Sequence, residues 1–133
     1  MKKRRIIGLL SVLIAFPNLF LCIGLLGWHD FPITHWLVLE KLSIIVCGII
    51  GGVLLWNGRR TGYLLSIIAW LIVFKGSSSS LYYFYFGKGH LEANALLKQV
   101  WRNYALLGVI PSILILFILL RDLITSSKIQ RLN

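Results

Sequence analysis

The feature that most constrains this chain is a pair of apolar runs, together covering positions 36–74, that meet at the short basic stretch Asn57-Gly58-Arg59-Arg60-Thr61-Gly62. The first run begins at Trp36 and ends at Trp56, and at about 1.5 Å per residue its length matches the roughly 30 Å hydrocarbon core of a bilayer. A tryptophan at each end is what an interfacial anchor requires, because indole is apolar in body and carries one N–H suited to the headgroup region. Arg59 and Arg60 are costly among lipid tails, and Asn57-Gly58 lets a chain reverse within few residues. The sequence therefore predicts two membrane-spanning helices joined at a membrane surface.

Composition extends that reading to the whole chain. Of 133 residues, 58% are hydrophobic, and the mean hydropathy is +0.83. That is more apolar surface than a soluble domain of this size can bury. The expected fold is all-α: a single transmembrane domain, an integral four-helix bundle, with spans at about 6–27, 36–56, 62–86 and 103–120. A turn at 57–61 and outer loops at 28–35 and 87–102 connect them, the second loop carrying a short outer amphipathic helix.

Charge orients the spans. Nine of the 14 basic residues fall in three clusters: Lys2-Lys3-Arg4-Arg5, Arg59-Arg60, and Arg121 with Lys128 and Arg131. An even number of spans puts all three on one side, and the positive-inside rule makes that side cytoplasmic, with both termini there. The expected location is the bacterial cytoplasmic (inner) membrane. The formal charge of +10 does not point to nucleic acid, because the basic residues flank apolar runs and form no stripe among exposed aromatics. Anionic lipid headgroups are the expected acidic partner.

In chain order, the basic start and apolar run could form a secretory signal peptide. The run is too long, however, and has no small-x-small cleavage site, so an uncleaved first span is expected. Pro17 removes a backbone donor and predicts a kink that frees the Leu13 carbonyl, with Asn18 needing a partner in the bundle. In the second span Ser43, Cys47 and Gly51 recur every four residues beside Gly48-x-x-x-Gly52, a small-residue face at which helices approach closely, within the chain or against a partner. Cys22 and Cys47, both in apolar runs, predict no disulfide.

The third span carries an interruption, Lys75-Gly76 followed by Ser77, Ser78, Ser79 and Ser80. Continuation to Phe86 is favoured over a break at Gly76, because a helix ending at Lys75 would strand the aromatic run that follows it. Residues 88–103 read as an interfacial amphipathic helix or an outer extension of the next span, and Pro111 predicts a second kink.

Glu40 lies one turn inward from Trp36, about 6 Å, and Lys75 lies about 16 Å inward from Phe86 if the helix continues. Charges at such depth should face the bundle interior, so Glu40 and Lys75 are expected to seek each other or the hydroxyls of residues 77–80, with Lys41, rotated about 100° around the helix and nearer the headgroups, turned to the surface. All three histidines, His29, His35 and His90, fall outside with Asp30 and Glu92. They are candidate metal or haem ligands without a recognised ligand spacing, and no cofactor is expected.

Around the turn, Leu54-Leu55-Trp56-Asn57-Gly58-Arg59-Arg60-Thr61-Gly62-Tyr63 resembles the glycine-and-arginine turns of small four-span bacterial inner-membrane proteins of uncharacterised function. Size and span count are also similar to the small multidrug transporters. Their essential glutamate lies in the first span whereas Glu40 lies in the second, and no functional residue carries over.

No Ser/His/Asp order, phosphate loop or paired carboxylates on one helix face suggest an enzyme. The expectation is a non-enzymatic interaction or accessory subunit of a membrane assembly, with a protein partner or a homo-oligomer. The alternatives are a small oligomeric transporter or channel with a polar path through Glu40, Lys75 and residues 77–80, and an outer-face metal- or haem-binding subunit.

Overall fold

A computed structural model describes residues 2–26, 33–86 and 95–130. All are helical or in short turns: α1 (Lys2–Leu13), α2 (Ala15–Leu26), α3 (Ile33–Trp56), α4 (Arg60–Phe86) and α5 (Ala95–Gln130). Among the described residues four segments are long and apolar enough to cross a membrane: Lys3–Gly24, which takes in α1 and α2, His35–Trp56, Arg60–Tyr82 and Leu106–Thr125. The exterior is aliphatic and aromatic, with Phe20, Leu114 and Phe117 each more than half exposed, the surface expected of a membrane protein.

The break between α1 and α2 falls at Ile14, one turn before Pro17, whose missing N–H leaves the Leu13 carbonyl without its helical donor. Asn18 finds its partner at the break itself: its Nδ2 donates to the Ile14 carbonyl at 2.8 Å. Pro111 behaves differently, since α5 continues through it.

The turn between α3 and α4 is a helix C-cap, with Gly58 at φ +75°. The Arg59 N–H donates to Leu54 O at 2.9 Å and the Gly58 N–H to Leu55 O at 3.0 Å, the paired bonds of a Schellman motif. Only residues 57–59 separate the two helices, so they must lie antiparallel and side by side.

Neighbours follow chain order. Both α1 and α2 pack on α3, α3 on α4, and α4 on α5. Two adjacent faces of α3 make separate seams. A Cβ on Gly52 would lie 2.5 Å from Gly8 O of α1, and one on Gly48 would lie 2.7 Å from Ser11 O. A Cβ on Gly51 would lie 2.7 Å from Ser66 N of α4. The small-residue face is thus occupied by the chain's own helices, with Gly8 as the reciprocal contact of Gly52. Ile7, Ile44, Leu55, Trp70 and Leu119 belong to the core between these helices. Inside it the Trp70 Nε1–H donates to Ser11 Oγ at 3.0 Å, tying α4 to α1.

At the turn, the Arg4 guanidinium lies 5.5 Å from the centre of the Tyr63 ring and that of Arg5 lies 5.7 Å from the Trp56 ring. Lys3, Arg121 and Asp122 border one hollow nearby. The basic clusters, as far as they are described, therefore share the hairpin end of the bundle. At the opposite end Tyr82, Tyr85 and Phe86 are exposed near the close of α4, an aromatic belt. Residues 95–102 belong to the same continuous helix as the last span, so their part of the outer amphipathic segment is an extension of α5. Its beginning, 87–94, lies outside the described residues.

Candidate functional site

The hairpin sets which residues face one another far from the turn. With Gly51 opposite Ser66, antiparallel helices at equal rise place Glu40 and Lys41 level with Gly76 and Ser77. The helix α4 runs uninterrupted through residues 75–80. Its serines are accommodated as short polar side chains usually are at such depth, by bonding the preceding turn: Ser80 Oγ donates to Gly76 O at 2.9 Å. On α5, Ser112 Oγ donates to Gly108 O at 2.6 Å. Gly108 of α5 faces Ser77 of α4, whose side chain occupies the place a Cβ there would take.

These contacts leave a cavity of about 190 Å³ that all four spans help to line: Pro17 and Asn18 from α2, Lys41 and Ile44 from α3, Gly76, Ser77 and Ser80 from α4, and Leu107 with Gly108 from α5. It is roomy enough for several water molecules, and polar enough to hold them.

Glu40 is the electrostatic hub. Its side chain is 12% exposed, with Oε1 3.6 Å from Lys41 Nζ and Oε2 3.7 Å from Lys75 Nζ. The two lysines differ sharply, at 19% side-chain exposure for Lys41 and 63% for Lys75. Glu40 and Lys75 do approach each other, but Lys41, expected at the surface, is the more enclosed cation and lines the cavity.

The reason lies in the two seams of α3. Eleven residues are close to three helical turns, so Glu40 shares the α4-facing side with Gly51, and Lys41 shares the α1/α2-facing side with Gly52. A 100° rotation about α3 leads from one protein neighbour to the next and not out to lipid. Gly76 makes the room: a Cβ there would lie 3.0 Å from Glu40 Oε1 and 4.0 Å from Lys41 Nζ.

One carboxylate thus meets two ammonium groups, and of the three side chains only Lys41 lines the cavity, so its wall carries an ammonium. The hydroxyls of Ser77 and Ser80 and the Asn18 amide are the other side-chain groups on the cavity wall capable of hydrogen bonding. Such a chamber is suited to binding a small anion or the carboxylate of a solute.

The remaining candidates lie apart. Ser43 is half-buried and donates to Leu39 O at 2.8 Å on its own helix. Cys22 and Cys47 are free thiols. His35 sits exposed in the first turns of α3, while His29, His90, Asp30 and Glu92 lie outside the described residues. Among the described residues no three His, Cys, Asp or Glu side chains converge as a metal site would need.

Sequence reasoning missed Lys41, Asn18 and Gly108 as chamber residues and the Trp70 to Ser11 bond. For Trp70 a signal was present: a tryptophan far from either interface must satisfy its N–H inside the bundle. No family model, curated protein or solved structure matches this chain.

Proposed function

We propose that the protein is a multi-pass protein of the bacterial cytoplasmic membrane, with termini and hairpin turn on the cytoplasmic side, that takes a small anionic solute into the chamber from outside. In this reading it is a small transporter or channel, not an enzyme. The observation that carries it is the enclosed Lys41 ammonium beside a carboxylate already shared with Lys75. An intramembrane charge is costly to keep, and one that lines a cavity implies a use for the space. Orientation rests on the basic clusters at the hairpin end. Four spans enclose little volume, so a complete path would be formed with a second copy.

The test is anion release from proteoliposomes loaded with potassium chloride or potassium formate, with valinomycin carrying the compensating charge. Release should exceed that of protein-free vesicles and fall to their level for Lys41→Met, with Lys41→Arg retaining part of it. Release no faster than from empty vesicles, or unaffected by Lys41→Met, would refute the proposal.

A second reading, an accessory subunit, is favoured by one observation. The helix α5 has 36 residues, about 54 Å, against the roughly 30 Å that a span needs. Its outer extension from Ala95 offers helical surface beyond the membrane for a protein partner. Absence of flux together with a stable partner retained in native mass spectrometry would move the conclusion there.

A further inference from the structure

The bundle is not sealed all round. Its described glycines mark where helices approach closely: Gly8, Gly48 and Gly52 bring backbones together on the seam of α1 with α3, Gly51 and Gly62 do so on that of α3 with α4, and Gly108 takes the Ser77 side chain on that of α4 with α5. None serves α1 against α5. Those two helices form no packed seam of their own, and a hollow of about 450 Å³ separates them at the hairpin end.

The walls of this cleft are apolar, with Ile6 and Leu10 from α1 facing Ile115 and Ile118 from α5, and its mouth holds Lys3, Arg121 and Asp122. Aliphatic below, the site carries two cations against one carboxylate above, at the level of the basic hairpin end. That pattern matches an amphiphile whose head is anionic. A hollow of about 450 Å³ is small for a partner's helix, 10–12 Å across with its side chains, and suits a single hydrocarbon chain. In a bilayer the species with this shape, charge and abundance is a lipid.

We propose that the α1–α5 cleft is a binding site for an anionic glycerophospholipid, with one acyl chain between the two helices and the phosphate at Lys3 and Arg121. The lipid completes the seam that the protein leaves open. Asp122 limits the net attraction to one positive charge, so preference for an anionic over a zwitterionic headgroup should be about fivefold, the factor one unbalanced basic residue contributes near such a surface.

The experiment is native mass spectrometry of the full chain in detergent, titrated with phosphatidylglycerol and with phosphatidylcholine of the same acyl chains. The expected result is a one-to-one adduct favouring phosphatidylglycerol about fivefold. That preference should vanish in the Lys3→Gln, Arg121→Gln double variant and survive in Arg121→Lys. Filling the cleft with Ile118→Trp should reduce both adducts, while Leu114→Trp on the exposed face of α5 should reduce neither. Equal retention of the two lipids, or a preference unchanged in the double variant, would overturn the proposal. Displacement of phosphatidylglycerol by millimolar inorganic phosphate would reassign the mouth to free phosphate, and a lipid-free dimer would reassign the cleft to a second copy; either overturns the lipid site.

Discussion

The two halves of the α3–α4 hairpin use glycine in opposite ways. Near the turn, Gly51 and Gly52 are pressed against backbone atoms of α4 and α1, at distances a real Cβ never keeps. Three turns further along, Gly76 faces side-chain charge, and the nearest atom to a Cβ there would be a Glu40 carboxylate oxygen. In the first half a missing side chain lets helices touch. In the second it leaves room for charged groups and a cavity. One hairpin thus carries a close-packed anchor at one end and a polar chamber at the other. The comparison teaches that a glycine in a span must be read together with the atom it faces.

The largest expected effect breaks the packed half. Gly52→Leu would drive side-chain volume into Gly8 O and Val12, 2.5 and 2.7 Å from a Cβ, costing on the order of 1–3 kcal/mol or more. Gly24→Leu, where a Cβ meets nothing within 4 Å, is the matched control. The apparent melting temperature in detergent should drop clearly for the first and stay near wild type for the second. Equal behaviour would place the Gly52 face against lipid.

A smaller effect sharpens the polar half. Glu40→Gln leaves two ammonium groups without their shared carboxylate and should cost on the order of 1–3 kcal/mol. Lys75→Met removes a cation that is 63% exposed and should cost under about 1 kcal/mol. Adding Lys41→Met to Glu40→Gln should restore part of the loss, because an unpaired enclosed charge is worse than none. Thermal stability and membrane abundance measure the series, and a ranking with Lys75→Met most damaging would mean that Lys75 is the principal partner.

Much of the architecture was legible in the sequence, because a bilayer imposes a length on every span. Trp36 and Trp56 bracketed one helix, and the aromatics after residue 80 could be used only if α4 continued past Lys75. The chamber was less legible. Glu40 and Lys75 were found because charges in apolar runs stand out, yet Lys41 was turned outward by an argument about helix rotation that assumed one buried face. With α1/α2 and α4 on adjacent sides of α3, both consecutive residues point inward. Gly8 was overlooked for a related reason: a lone glycine has no spacing to betray it, and only its contact with Gly52 gives it meaning. Asn18, expected to need a partner in the bundle, finds one locally in Ile14 O.

A hairpin closed near the turn and open to water at the level of Gly76 would show itself in cysteine accessibility. With Cys22 and Cys47 replaced by serine, Ser80→Cys and Ser66→Cys are treated in intact cells with a membrane-impermeant anionic thiosulfonate and its cationic counterpart, alongside Arg102→Cys as the exposed control. Ser80 lines the chamber, whereas Ser66 is fully buried against α3. Ser80→Cys should be modified, faster with the anionic reagent because the Lys41 ammonium is on the chamber wall and Glu40 is not, and Ser66→Cys should not be modified. An unreactive Ser80→Cys beside a reactive Arg102→Cys, or equal modification of Ser80→Cys and Ser66→Cys, would contradict that arrangement of the hairpin.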